Sequence, residues 1–179
     1  MILSNMIHIR TADHNDLFGI KTLYASVARH EGGIARAADE VTDAYIESFV
    51  SKSISDGLIL VAEHPDDPAI LIAEVHAYRN GIKVFKHVLG DLTLVVHPAF
   101  QGKKIGRTIF TIFLEEVARN HSDIGKVELI TRESNTRAIT LYQSLGFRIE
   151  GRLEMRIKTS AGSYEADIPM GWQNPNYQL

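Results

Sequence analysis

The segment Leu92–Thr108, with the sequence LTLVVHPAFQGKKIGRT, decides the fold. Its first residues form an apolar run typical of a strand, and His97-Pro98 indicates where that strand ends. A turn that contains glycine and lysine follows, and a helix is predicted over residues 104–119. The apolar stripe of this helix consists of Ile105, Ile109, Ile112, Phe113 and Leu114. A strand that leads through such a turn into a helix favours anion binding, because the first helical N–H groups lack partners within the helix.

Positively charged side chains accompany this turn. Lys103, Lys104 and Arg107 supply three cations, while Gly102 and Gly106 permit close approach to the backbone. A diphosphate would be held well by this combination. The spacing does not fit the P-loop pattern Gly-x-x-x-x-Gly-Lys-Ser/Thr, and an ordinary helix start with solvated lysines is the alternative interpretation.

A second informative segment is Glu133–Phe147. Ser134 or Asn135 can cap a helix there, and Gly146 suits the left-handed position after its last turn. The apolar face of this helix is formed by Ala138, Leu141, Tyr142 and Leu145. By periodicity alone, Tyr142 is a core residue whose hydroxyl finds a local partner.

The remaining pattern predicts a mixed α/β chain with a mostly antiparallel sheet. About seven strands are predicted, at residues 7–10, 58–62, 69–73 with an extension towards 78, 88–96 and 126–132, and in a hairpin over 147–172. Four helices are predicted, at residues 13–29, 42–53, 104–119 and 135–145. Because no linker divides the chain, we expect one domain over residues 6–173.

Composition excludes several classes of function. The chain has 179 residues, with 19 Lys and Arg against 22 Asp and Glu, and this slight acidity argues against nucleic-acid binding. It has 0 cysteines, which removes thiolate metal sites and a cysteine-linked acyl-enzyme. The sequence contains neither H-E-x-x-H nor G-x-S-x-G.

The expected location is the cytoplasm, with no membrane association. No apolar run approaches the roughly 20 residues that a membrane span needs. The stretch Met1–Met6 lacks a basic region and a long apolar core, so neither a signal peptide nor a transit peptide is predicted.

The two segments together resemble the motifs of the GNAT superfamily of N-acetyltransferases. The first motif of that superfamily reads Gln/Arg-x-x-Gly-x-Gly/Ala, and Gln101, Ile105 and Gly106 match it, whereas Lys104 stands where the first glycine is usual. We expect Lys104 to fit the first helical turn without strain, with its ammonium near a phosphate. The second motif is matched at Asn135, Ala138, Leu141-Tyr142 and Leu145-Gly146-Phe147.

The resemblance implies a GNAT-like fold with acetyl-CoA as cosubstrate. It implies that backbone groups of Leu94, Val95 and Val96 hold the pantetheine and the acetyl carbonyl. It implies that the pyrophosphate is cradled by Gln101, Gly102, Lys103, Lys104, Ile105, Gly106, Arg107 and Thr108. Asn135 would bond to the pantetheine arm, and Tyr142 would protonate the leaving thiolate, for which a phenol of pKa about 10 is suitable.

The implied reaction transfers an acetyl group to a primary amine by direct attack in a ternary complex. Asp91 and Glu128 are the candidate bases, whereas His97, before Pro98, is predicted to be a turn residue. The acceptor is expected near residues 30–43 and 150–166, and is an amino acid, a polyamine, another small amine or a protein N-terminus. The alternatives are a non-catalytic acyl-CoA-binding module and a structural protein with a coincidental turn. Fold analogy allows a homodimer through the edge strands of the tail.

Overall fold

A computed structural model describes residues 7–30 and 33–178 of the chain. The stretch Met1–Met6, on which the prediction of no leader rests, lies outside the described residues, as do Glu31 and Gly32 of the predicted helix stop. Within the described part, eight strands and four α-helices confirm the mixed α/β fold with mostly antiparallel strand pairs.

The strands are β1 (Ile9–Thr11), β2 (Gly57–His64), β3 (Asp67–Tyr78), β4 (Val88–Val96), β5 (Lys126–Arg132), β6 (Arg148–Ile149), β7 (Leu153–Lys158) and β8 (Tyr164–Gln173). The α-helices are α1 (Leu17–Ala28), α2 (Asp43–Asp56), α3 (Ile105–Asn120) and α4 (Thr136–Ser144). The strand beyond the predicted seven is β6, which has only two residues. The chain divides into two compact units, the first with residues up to Tyr78 and Thr93–Leu114, the second with Arg79–Leu92 and residues from Glu115 onward.

In the first unit, β1, β2 and β3 form an antiparallel meander, with Arg10 opposite Val61 and Leu60 opposite Val75. The end of β4 adjoins β3, because the N–H of His97 donates to the carbonyl of Ile72 at 2.8 Å. Helices α1 and α2 bury their apolar faces against these strands. Their shared core includes Ile20, Tyr24, Phe49, Val50, Ile59, Val61 and Val95.

Side-chain caps fix where the helices of the first unit begin. The hydroxyl of Thr42 accepts from the N–H of Tyr45 at 3.2 Å, so α2 starts after the predicted cap residue. Before α1, both terminal guanidinium nitrogens of Arg10 donate to the carboxylate of Asp16 at 2.8 Å, which links β1 to the start of that helix. The same guanidinium donates to Glu63 at 2.6 Å.

In the second unit, β5 is parallel to β4, with Val88 opposite Lys126, and antiparallel to β8, with Leu129 opposite Met170. Strands β6 and β7 also pair with β8. The predicted β5 and the tail hairpin are thereby confirmed.

The buried face of α3 differs in part from the predicted stripe. Ile105, Ile109 and Phe113 are buried as expected, but Ile112 is 38% exposed and Phe110, at 0%, takes the place in the core. At about 100° per residue, Phe110 and Ile112 lie about 160° apart around the helix, so the core that buries Phe110 beside Phe113 leaves Ile112 at the opposite edge of the stripe.

None of the helices in the described part of the chain is both long and apolar enough to cross a membrane.

Candidate active site

The turn before α3 has two residues with left-handed backbone. Gly102 has φ 79° and Lys104 has φ 66°. The prediction that Lys104 fits the first helical turn without strain is therefore wrong, because α3 begins one residue later, at Ile105. The carbonyl of Lys104 accepts the N–H of Thr108 at 3.0 Å, which makes Lys104 the N-cap residue of α3. The left-handed requirement explains why a glycine suits this position better than a lysine.

We expect Lys104→Gly to raise the free energy of unfolding by about 1 kcal/mol, because a side chain in the left-handed region costs about 1–2 kcal/mol, partly offset by unfolded-chain entropy. Urea unfolding measures the change. Lys103→Gly is the matched control, since Lys103 lacks a positive φ and its replacement should lose stability. Equal effects of the two substitutions would contradict the assignment of strain to Lys104.

The first turn of α3 lies directly on the end of β4. A Cβ atom at Gly106 would lie 3.3 Å from Cγ2 of Val96 and 3.8 Å from Cδ2 of Leu94, so no larger residue fits without displacement. At Gly102 a Cβ atom would meet nothing within 4 Å, so this side of the turn is open. The N–H groups that precede the Thr108 bond lie at the positive end of the helix dipole.

The residues of this turn fit a bound diphosphate. Left-handed residues in a turn direct successive N–H groups into one concavity, which suits an anion. Lys103, Lys104 and Arg107 are all exposed beside it, and the ammonium of Lys103 lies 4.7 Å from the centre of the Phe100 ring. Cations and directed amides together therefore provide what two phosphates require.

Side chains join this turn to the strand before it. The amide nitrogen of Gln101 donates to the carbonyl of Val96 at 3.1 Å. Nδ1 of His97 accepts from the N–H of Ala99 at 3.2 Å, which confirms that His97 is a turn residue. Gln101 thus holds the turn against the end of β4.

In the second unit, α4 places Asn135 and Tyr142 as its local sequence predicted. Oδ1 of Asn135 accepts from the N–H of Ala138 at 3.2 Å, which leaves the Nδ2 group as the donor for any ligand. Beyond the last helical residue, Ser144, Gly146 adopts a φ of 96°, and the N–H of Phe147 donates to the carbonyl of Tyr142 at 3.0 Å. Burial raises the pKa of the Tyr142 phenol to about 12.

The two candidate bases have different surroundings in the second unit. Asp91 is exposed and has φ 50°, a left-handed conformation within β4. Glu128 lies over Gly90, where an added Cβ atom would be 3.4 Å from Oε1 of Glu128, and Oε2 of Glu128 is 3.2 Å from Nζ of Lys126. The carboxylate of Glu128 is therefore already engaged in an ion pair with Lys126.

Sequence reasoning missed a buried polar network in the first unit. Glu74 Oε2 accepts from the Tyr24 hydroxyl at 2.6 Å, and Glu74 Oε1 is 2.9 Å from Nδ1 of His76. Glu74 and Tyr24 have 0% exposure and His76 has 2%. The signal that could have found it was the alternation of Glu74 and His76 with apolar residues in β3, where ionisable side chains interrupt an otherwise apolar strand.

The predicted site residues divide between the two units. Leu94, Val95, Val96 and residues 101–108 belong to the first unit, which also contains the missed network. Asp91, Glu128, Asn135 and Tyr142 belong to the second. Among the described residues, no group of three or more histidine, aspartate or glutamate side chains could hold a metal ion.

Comparison with known proteins identifies the family. The family model described as an acetyltransferase (GNAT) domain matches residues 55–149, more than half of the chain. The chain therefore belongs to the GNAT acetyltransferase family. It is an acetyltransferase with acetyl-CoA as cosubstrate, as the sequence motifs predicted.

Individual known proteins also match the chain. The L-methionine sulfoximine/L-methionine sulfone acetyltransferase of Salmonella typhimurium is 25% identical over 147 residues, covering 81% of this chain and 82% of that protein. A shorter match, 40% identical over 62 residues, covers 35% of this chain and only 17% of the UPF0157 protein YqkA of Bacillus subtilis. A phosphinothricin acetyltransferase of Sinorhizobium meliloti, solved in complex with AcCoA, has the same fold, with a TM-score of 0.76 at 14% identity over 96% of this chain and 90% of that one.

Proposed function

We propose that the protein transfers the acetyl group of acetyl-CoA to a primary amine by direct attack, within one domain over residues 6–173. The observation that carries the proposal is the turn at residues 101–108, where exposed cations lie beside the amides of a helix N-terminus and a Cβ atom at Gly102 would meet nothing within 4 Å. The absence of cysteine from the chain supports direct attack, because a cysteine-linked acyl-enzyme has no nucleophile here.

The proposed roles of the site residues follow the sequence motifs. Backbone groups of residues 94–96 hold the pantetheine and acetyl carbonyl, and residues 101–108 hold the pyrophosphate. Asn135 donates through Nδ2 to the pantetheine arm, since its Oδ1 caps α4. Tyr142 acts on the thiolate as it leaves. Bound acetyl-CoA supplies an activated acyl group with a thiolate leaving group.

The attacking amine must lose a proton, because a primary amine is mostly protonated near pH 7. Asp91 and Glu128 are the carboxylates that the sequence offers for this step. The ion pair between Glu128 and Lys126 favours Asp91. Steady-state kinetics of Asp91→Asn and Glu128→Gln tests the two assignments.

Two cations of the first unit, Arg36 and Lys52, are able to pair with an acceptor that has a carboxylate. The Arg36 guanidinium lies 4.3 Å from the centre of the Tyr45 ring, and the Lys52 ammonium lies 5.3 Å from that of Tyr78. Arg36 belongs to the segment in which the acceptor was expected. The relative from Salmonella typhimurium is named for amino acid derivatives, so amino acids are the first acceptors to test.

We expect acetyl-CoA-dependent release of thiol with at least one amine of a defined panel. The panel contains L-methionine sulfone, L-methionine sulfoximine, the common amino acids, spermidine and a peptide with an N-terminal alanine. Mass spectrometry of the product confirms that the acetyl group is on nitrogen. CoA binding without turnover on any of these amines would contradict the proposal and leave a non-catalytic binding protein.

A further inference from the structure

One face of β5 in the second unit is exposed, and a candidate base lies on it. Val127 and Leu129 are buried on the opposite face, with 0% and 4% exposure, whereas Ile130 is 52% exposed. Side chains alternate between the two faces of a strand, so Ile130 shares its face with Glu128, about 7 Å away along the strand. Ile130 is therefore the neighbour of a carboxylate that the proposed reaction offers for the amine proton.

The same stretch of β5 leads into the turn that contains Asn135, the proposed donor to the pantetheine arm. The N–H of Asn135 donates to the carbonyl of Arg132 at 3.0 Å. In this turn, the N–H of Ser134 also donates to Oε1 of Glu165, on β8, at 2.6 Å. These hydrogen bonds fix the turn to the strands, and Ile130 lies along the chain between the candidate base and the turn.

Apolar side chains adjoin one another on this face. Pro169 is directly opposite Ile130, and a Cβ atom at Gly151 would lie 3.5 Å from Cγ of Pro169. Leu153, which is 39% exposed, is opposite Asp167 and is therefore a diagonal neighbour of Pro169. A single exposed apolar side chain is ordinary, but contiguous ones indicate a binding surface. We call Ile130, Leu153 and Pro169 the apolar patch.

The carboxylates that border the apolar patch lie within ion-pair distance of cations on the same strands. The pairs are Glu128–Lys126 at 3.2 Å, Glu150–Lys126 at 2.7 Å, Glu165–Arg132 at 3.9 Å and Asp167–Arg156 at 3.8 Å. A polyamine has several ammonium groups, and each of them is held best by a carboxylate that is not already neutralised. This face therefore suits an uncharged apolar group better than a second ammonium group.

We propose that the apolar patch binds the side chain of the acceptor, and that the acceptor is an amine with one apolar substituent, such as the side chain of leucine or methionine, rather than a polyamine. The substituent packs on Ile130 and Leu153, and the amine extends towards Glu128 and the Gly90-Asp91 segment beneath it. Ile130 and Leu153 are then specificity-determining residues. The inference rests on the proposed function, but it does not depend on which carboxylate takes the proton.

The first test ranks acceptors that differ only in their side chain. The series is glycine, alanine, leucine and methionine, each as the free amino acid and as the N-terminal residue of one peptide, with spermidine for comparison. We expect kcat/KM for leucine and methionine to exceed that for glycine at least tenfold, because one methylene group in an apolar site changes kcat/KM about 10-fold or more. Equal values for glycine and leucine, or a higher value for spermidine, would overturn the inference.

The second test changes the patch itself. In Ile130→Asn, kcat/KM for leucine should fall about tenfold, whereas kcat/KM for glycine and the KM for acetyl-CoA should stay within about twofold. Ile130→Val should keep most of the preference for leucine. Ile70→Asn, at a strand isoleucine of the first unit that is 48% exposed, is the matched control and should change none of these values. Equal losses with glycine and leucine would indicate a structural role for Ile130 and overturn the inference.

A binding measurement separates this inference from the proposed function. In protein labelled with ¹³C at the isoleucine methyl groups and saturated with CoA, leucine should shift the Ile130 resonance and leave that of Ile70 unchanged, with Ile130→Val for assignment. Glycine should shift neither resonance. If the protein acetylates no amine, the proposed function fails, and this titration still decides whether the patch binds an apolar amine. If it acetylates leucine without any shift at Ile130, the proposed function stands and the inference is wrong.

Discussion

Tyr142→Phe will lower kcat about 10- to 100-fold and leave the affinity for CoA within about twofold. The expected loss corresponds to one hydrogen bond to a charged group, which contributes about 1.5–3 kcal/mol. The affinity should persist because the phenyl ring keeps the buried volume, including the contact with Phe147 at a centroid distance of 5.9 Å.

Burial raises the pKa of Tyr142 to about 12, so its hydroxyl stays protonated at neutral pH. An unperturbed thiol has a pKa of about 8.5, so complete proton transfer from this phenol to a thiolate would be unfavourable. A phenol that stays protonated is instead a permanent donor. We therefore expect Tyr142 to stabilise the departing sulfur by hydrogen bonding, with solvent completing the protonation.

The measurement is steady-state kinetics on the most active amine, with CoA affinity from calorimetry. Tyr164→Phe, at a tyrosine that is 57% exposed, is the control and should change neither quantity. Unchanged kcat in Tyr142→Phe would remove Tyr142 from the reaction.

The same variant has a consequence for stability at alkaline pH. The pKa of Tyr142 is raised in the folded protein, so the unfolded chain releases this proton at lower pH. The contribution of the neutral phenol to the free energy of unfolding is therefore fully present below pH 10 and is lost as the pH rises to about 12. That change amounts to about 3 kcal/mol. The difference in unfolding free energy between the two proteins should shrink by this amount over that range, because the contribution of Tyr24 is common to both. A constant difference would contradict the burial of a neutral phenol.

Local signals made α4 the most predictable part of the site. An asparagine cap at Asn135 and a glycine at Gly146 act within one turn of the helix, so the sequence contains the information that places both ends. Tyr142 follows from the periodicity between them. Strand β6 went unpredicted because two residues are too few for an alternating pattern.

The buried network could not be predicted in the same way. The alternation of Glu74 and His76 in β3 fits a strand with one solvated face as well as a buried one. Only the packing of α1 and α2 covers that face, and this is a tertiary contact between distant segments. Similarly, the left-handed backbone of Lys104 depends on how the turn meets α3, and lysine itself gives no signal for it.

Gly106→Glu will weaken CoA binding about a hundredfold, which corresponds to about 2.7 kcal/mol. Two effects combine at this position. A Cβ atom there would lie 3.3 Å from Val96, so a side chain separates α3 from the strand residues proposed to hold the pantetheine. The carboxylate would also lie near the proposed diphosphate, where like charges at about 4 Å repel by about 1–4 kcal/mol.

Two matched variants separate these effects in calorimetric titrations with CoA. Gly106→Gln has the same size without the charge and should lose only the part due to crowding, while Gly106→Ala adds a single methyl group. We expect Gly106→Glu to stay folded, because glutamate is about 1 kcal/mol more favourable than glycine in a helix. Urea unfolding of the variant checks that the loss of affinity is not due to unfolding. If the affinity of Gly106→Glu equals that of the unmodified protein, the pyrophosphate does not bind at residues 101–108, and the proposed roles of Lys103, Lys104 and Arg107 are wrong as well.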